Sequence, residues 1–136
     1  LQNAHYQLLI SKSCQTWEDF ELLLRVIKDL KNLVVLPNIW TEVDNLLNSL
    51  SGNYKYPYIQ NIKSLVQLST EEFLTSEIGV GSHFFIQVGL TDALIISLGK
   101  YCDLLITADS TLSDLAIASG IKVYDLVYRR NEDFRY

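Results

Sequence analysis

The sequence predicts an α/β domain in which a central parallel sheet lies between helices, a three-layer α/β/α arrangement. Three short apolar runs rich in β-branched residues, LVVL (33–36), DLLIT (103–107) and KVYDL (122–126), are too short for helices and read as buried strands. Amphipathic segments of helical period separate them, and Pro37, Gly52 and Gly120 punctuate the changes. Strands that alternate with helices pair in parallel through right-handed crossovers, and the helices then cover both faces of the sheet.

Taken in order, Thr16 caps an expected helix over WEDFELLLRVIKDL, with Glu18 and Asp19 in its first turn and Phe20, Leu23, Leu24, Ile27 and Leu30 along one face. The strand 33–36 stops at Pro37, which suits the first turn of a second helix over 38–50. Ile39, Val43, Leu46, Leu47 and Leu50 share one arc of that helix, and Gly52 ends it. A third helix is expected after Pro57 within YKYPYIQNIKSLVQL (54–68), whereas STEEFLTSEI (69–78) fits either a strand or a helix start. VGSHFFIQVG leads into a helix over TDALIISLGKY, then the strand DLLIT, a helix over STLSDLAIAS ended by Gly120, and the strand KVYDL.

With 136 residues, 49% of them hydrophobic, the chain suits one domain (1–136) built on one core. No apolar run approaches the roughly 20 residues that cross a bilayer, so a cytoplasmic location without membrane contact is expected. The opening LQNAHYQLLISKSC has neither a basic n-region nor a cleavage site and reads as a start in mid-domain. Cys14 and Cys102 are read as free thiols in the core, and with His5 and His83 as the only histidines there is no ligand spacing for structural zinc. His83, beside Phe84 and Phe85, reads as a packing residue. A net charge of −5 excludes a broadly basic nucleic-acid surface, leaving only a local one.

Ligands of open parallel sheets gather at the carboxyl ends of the strands. Asp109 follows the strand DLLIT by two residues and Asp92 falls in the first turn of the helix TDALIISL, so both belong to that edge. Helix capping explains either one equally well. Glu42 stands about 90° from the centre of the apolar arc of its helix, at the margin of the buried face.

The strings LPNIWTEVDNLL and GLTDALIISLGKYCDLLITADSTLSDLAIASGIKVYDL resemble, in order and spacing, segments of the PIN-domain nucleases. The resemblance covers roughly residues 16 to 126 and is strongest from Gly89 onward. It implies that Glu42, Asp92 and Asp109 are catalytic metal ligands, that Thr107 and Ser110 hydrogen-bond ligand or water, and that Asn45 and Asp114 support the ligands from behind. Hard carboxylate oxygens suit Mg²⁺ or Mn²⁺, and the shortage of His argues against a zinc hydrolase. The activity implied is metal-dependent endoribonuclease hydrolysis of RNA phosphodiester bonds. It carries with it the possible role of toxin in a bacterial toxin–antitoxin pair, with an antitoxin or a second copy as protein partner.

The family opens with a strand ending in Asp. Because no strand-plus-Asp precedes Asp19, the chain is expected to lack that strand as an N-terminally incomplete record. Two other readings accompany the nuclease: a degenerate PIN scaffold that binds RNA or protein without cutting, and a receiver-like or phosphatase-like domain with one nucleophilic Asp. Carboxylates about 4 Å apart repel by roughly 4 kcal/mol at an effective dielectric near 20, so one of the three is expected to gain proton affinity. For substrate contact the candidates are Lys12, Lys55, Lys63, Arg129, Arg130 and Arg135, with Tyr54, Tyr56 and Tyr58 as stacking platforms.

Overall fold

A computed structural model describes residues 6–8, 30–48, 52–126, 128 and 132, with the backbone alone for residues 6–8, 30, 46, 47 and 54. The expected helix over 17–30 lies outside these residues but for its last one, and so do Cys14, Lys12, Arg129, Arg130 and Arg135.

Five short strands form one sheet: β1 (Tyr6–Leu8), β2 (Leu33–Val35), β3 (Thr70–Glu71), β4 (Leu104–Thr107) and β5 (Val123–Asp125). Their order is β3-β2-β1-β4-β5, and every neighbouring pair is parallel. The mixed α/β class and the parallel pairing read from the sequence are therefore present. β2 and most of β4 are buried, which is why both read as unbroken apolar runs rather than alternating ones.

One expectation is corrected. The central place is not vacant: Tyr6 pairs with Leu33 on one side and with Leu104 on the other. The strand escaped recognition because it is three residues long, has the polar Gln7 at its middle, and was expected to end in Asp. Residues 9–17, which follow it, contain no acidic side chain.

α1 (Pro37–Asn48) begins on Pro37, whose missing N–H would have had no intrahelical partner at that position. α2 (Lys55–Leu68) begins two residues before Pro57, still inside the first turn, where no intrahelical acceptor awaits its nitrogen. The ambiguous 69–78 segment contains both elements: the exposed edge strand β3, then α3 (Ser76–Val80). α4 (Phe85–Val88) follows, and Gly89 both closes it and opens α5 (Leu90–Gly99). The Gly89 N–H donates to the Phe85 carbonyl at 2.8 Å and its carbonyl accepts from the Ala93 N–H at 3.1 Å. Its φ of 85° is one that a side chain would resist. α5 buries Ala93, Leu94, Ile95, Ile96, Leu98 and Gly99, so it is enclosed nearly all round. α6 (Ser110–Ala118) ends at Gly120, φ 82°, with the Ile121 N–H returning to the Ala116 carbonyl at 2.9 Å.

The core joins β2 and β4 to α1, α5 and α6 through Leu33, Val35, Ile39, Leu94, Ile106 and Leu112, among others. Among the described residues no helix is long and apolar enough to cross a membrane.

Candidate functional site

In a parallel sheet the carboxyl ends of all strands share one edge. β4 delivers Asp109 there through a short turn in which the buried Thr107 hydroxyl oxygen accepts the Asp109 N–H at 3.0 Å. Asp109 then caps α6: its Oδ1 accepts the Leu112 N–H at 3.0 Å. Of the two roles open to Asp109, capping is thus in place, and it leaves Oδ2 without a hydrogen bond among the described residues. Capping and charge separate by substitution. Asp109→Ala is expected to lower stability by about 1 kcal/mol, while Asp109→Asn, an equally good cap, stays within a few tenths. The Asn variant nevertheless removes the negative charge that acts on Asp92, so a carboxyl titration followed by NMR should find the Asp92 pKa lowered.

Asp92 is the third residue of α5, a helix that runs back toward the amino edge to feed β4, so its first turn lies at the carboxyl edge. The side chain is half-buried, and among the described residues no donor bonds its carboxylate. Capping does not account for it. Its pKa is raised from 3.8 to about 6, first by burial and then by the negative charges of Asp109 and Glu42.

Glu42 lies on α1, the helix that leaves the carboxyl end of β2. Its neighbour Val43 and, one turn earlier, Ile39 are buried, while Glu42 is exposed, as its place at the margin of the apolar arc predicts. Because both Glu42 and Asp109 act on Asp92, the structure brings all three acidic residues singled out in the sequence into one electrostatic neighbourhood. They do not form a ready coordination cage: among the described residues no three His, Cys, Asp or Glu side chains are grouped to hold a metal ion. In kind, the donors fit a hard divalent cation, being carboxylates only, with surplus negative charge and one member deprived of other partners.

The remaining candidates are placed as follows. Ser110, Asn45 and Asp114 are exposed, and the Thr107 hydroxyl is engaged by its own turn. Lys63 and Tyr56 are exposed, while Lys55 and Tyr58 are half-buried. His83 packs its ring on Phe84 at a centroid distance of 4.1 Å. Cys102 is a free thiol packed against the core, its pKa pushed up to about 11 by burial first and then by Asp103 and Glu72, which keeps it protonated and unreactive.

One carboxylate was missed. Asp125 ends β5 opposite Thr107, at the same edge as Asp109, and its Oδ1 accepts the Tyr128 N–H at 3.0 Å. The run KVYDL, a strand closing on an acid, carried that signal.

The fold is a parallel α/β domain in which the charges of Asp109 and Glu42 act on a half-buried Asp92. The sequence matches no protein-family model, and comparison with curated proteins finds no relative.

Proposed function

We propose that the protein is a divalent-metal-dependent ribonuclease of the PIN type, a three-layer domain that hydrolyses RNA phosphodiester bonds at the edge bearing Glu42, Asp92 and Asp109. One observation carries the reading: Asp92 is half-buried, unbonded among the described residues, and raised to about 6 beside two further carboxylates. Such an arrangement is unfavourable for an empty site and favourable for one that receives a cation.

Asp92, Asp109 and Glu42 would hold Mg²⁺ or Mn²⁺, and the bound ion would supply an activated water and charge neutralisation at the phosphate. The protein's own groups have simpler tasks. The cap bond to Leu112 fixes Asp109 against rotation, the Thr107 hydroxyl sets the turn that carries it, and burial strengthens the field at Asp92. Protons compete with the cation at Asp92. Its charge is lost as pH falls below about 6, so metal affinity and cleavage should decline together through that range.

The test is cleavage of a mixed RNA pool with and without millimolar Mn²⁺, joined to a thermal melt under the same conditions. Cleavage that needs Mn²⁺, and a melting temperature raised by it, are expected, because a cation that binds only the folded state stabilises it by mass action. A melt indifferent to Mn²⁺, with no cleavage, would sink the proposal.

A second reading has an observation of its own. The central strand is followed by nine residues, 9–17, without an acid, so the family's first ligand has no counterpart there. That favours a degenerate PIN scaffold binding RNA or protein without cutting, and RNA binding that persists in EDTA without cleavage would select it. Under the nuclease reading, the protein would act in the cytoplasm as a toxin controlled by an antitoxin protein, alone or as a homodimer.

A further inference from the structure

Helix α2 presents to solvent a stripe that the core does not require. At 100° per residue, Tyr56, Gln60, Lys63 and Gln67 fall within about 60° of one another and opposite Leu65, the residue that the helix buries. All four are exposed, Tyr56 at 71%. The stripe spans about 16 Å, at 1.5 Å per residue. Its charge is out of character for the chain. Residues 45–70 contain no Asp or Glu, although the whole sequence carries 16 acids against 11 bases. Among the described residues neither Lys63 nor Lys55 pairs with a carboxylate.

Topology gives the stripe a direction. α2 leads into β3, whose Thr70 hydroxyl donates to the Lys31 carbonyl in the turn before β2, and β3 is parallel to β2. The helix therefore runs antiparallel to the strands, and Tyr56 stands toward the carboxyl edge, where Asp92 and Asp109 lie.

We propose that this face of α2 binds single-stranded RNA, with Tyr56 stacking on a base, Lys63 neutralising a phosphate and the two glutamine amides bonding backbone or base edges. The inference rests on the reading of the protein as one that acts on RNA, and it names the surface that holds the strand outside the acidic cluster. An acidic edge repels phosphate unless cations lie beside it, and the acid-free α2 supplies one on a strongly exposed aromatic helix. An amphipathic peptide is a poorer match. Its apolar seam needs an aliphatic centre, whereas here Ile59 and Val66 only flank a polar line.

Fluorescence anisotropy with a labelled twelve-nucleotide oligouridylate, in EDTA so that nothing is cut, tests the assignment on the full chain. Tyr56→Ala is expected to weaken binding about tenfold and Tyr56→Phe to leave it near the parent value, because stacking needs only the ring. Lys63→Ala should lower the slope of log affinity against log salt by about 0.7, the single-strand value for one phosphate contact. Asp92→Asn should bind at least as well as the parent. All these positions but Asp92 are exposed, so unchanged melting temperatures verify folding.

Parent-like affinity and salt slope in both Tyr56→Ala and Lys63→Ala overturn the proposal. Self-association that is lost in Lys63→Glu, with RNA affinity unchanged, overturns it in favour of a second copy of this chain. If RNA is cleaved with α2 indifferent, this inference falls and the nuclease reading stands. If nothing is cleaved but Tyr56 and Lys63 set the affinity, the inference stands and hydrolysis falls.

Discussion

Asp92→Asn is expected to abolish Mn²⁺-dependent cleavage and to make the metal-free protein more stable at pH 7. On activity, loss of groups that merely support a ligand costs ten- to a hundredfold, so removing a ligand charge should exceed about a hundredfold. On stability, the sign follows from the pKa. The carboxyl is raised in the folded state, so between about 4 and 6 the native protein binds more protons than the unfolded chain. Stability from this group is full below the unfolded pKa and is lost as pH rises to about 6, above which the loss is constant. At pH 7 the ionised Asp92 thus weakens the fold. The shift would correspond to nearly 3 kcal/mol if it were fully shielded, and solvent screening of this half-exposed group reduces that to about 1 kcal/mol. Asn keeps the shape and removes the charge, for an increase of about 3–5 °C in melting temperature. Paired melts at pH 4 and pH 7 check it: the Asn advantage should appear only at the higher pH. An Asn variant that cleaves at the parent rate would remove Asp92 from the site.

Leu94→Ala is expected to cost about 2–5 kcal/mol, enough to lower the melting temperature by roughly 10 °C, because Leu94 is 1% exposed in the middle of the core. Its partner across the α3–α5 contact sharpens the test. A Cβ on Gly79 would lie 2.5 Å from Leu90 Cδ1 and 3.1 Å from Leu94 Cγ, so Gly79→Ala forces these side chains aside at about 1–3 kcal/mol. That outweighs the better helix propensity of Ala, worth about 1 kcal/mol. In the double variant the contacts of the new methyl with Leu94 are relieved while that with Leu90 remains, and the combined loss should be smaller than the two single losses together. Denaturant unfolding of the four proteins measures it. Strict additivity would mean that the two helices do not pack through this pair.

Much of this was legible in the chain because the elements that position the site carry strong local signals. LVVL, DLLIT and KVYDL are buried and apolar, so their strands were readable, and the helices around Glu42, Asp92 and Asp109 are marked by Pro37, Gly89 and Gly120. Topology placed Asp92 and Asp109 at the carboxyl edge, whereas Glu42, in the second turn of its helix, joined them only through the resemblance; the charges of both Asp109 and Glu42 act on Asp92. β3 was legible only as one of two alternatives for 69–78, because two exposed residues at a sheet edge have no apolar pattern to read. β1 was not, because partners distant in sequence, rather than its own three residues, make it a strand. Asp109 shows a different limit. Spacing alone could not distinguish a cap from a ligand, and the bond to Leu112 establishes only the first.

The position of β1 bears on how the molecule folds. Tyr6 must pair with Leu33 and with Leu104, and the second of these partners lies 98 residues further along the chain. Until β4 docks, one flank of the central strand has no native neighbour, so closing the sheet is a long-range event. Asp109 follows β4 and reaches the carboxyl edge only with it, so Asp92 gains that neighbouring charge no earlier than this closure.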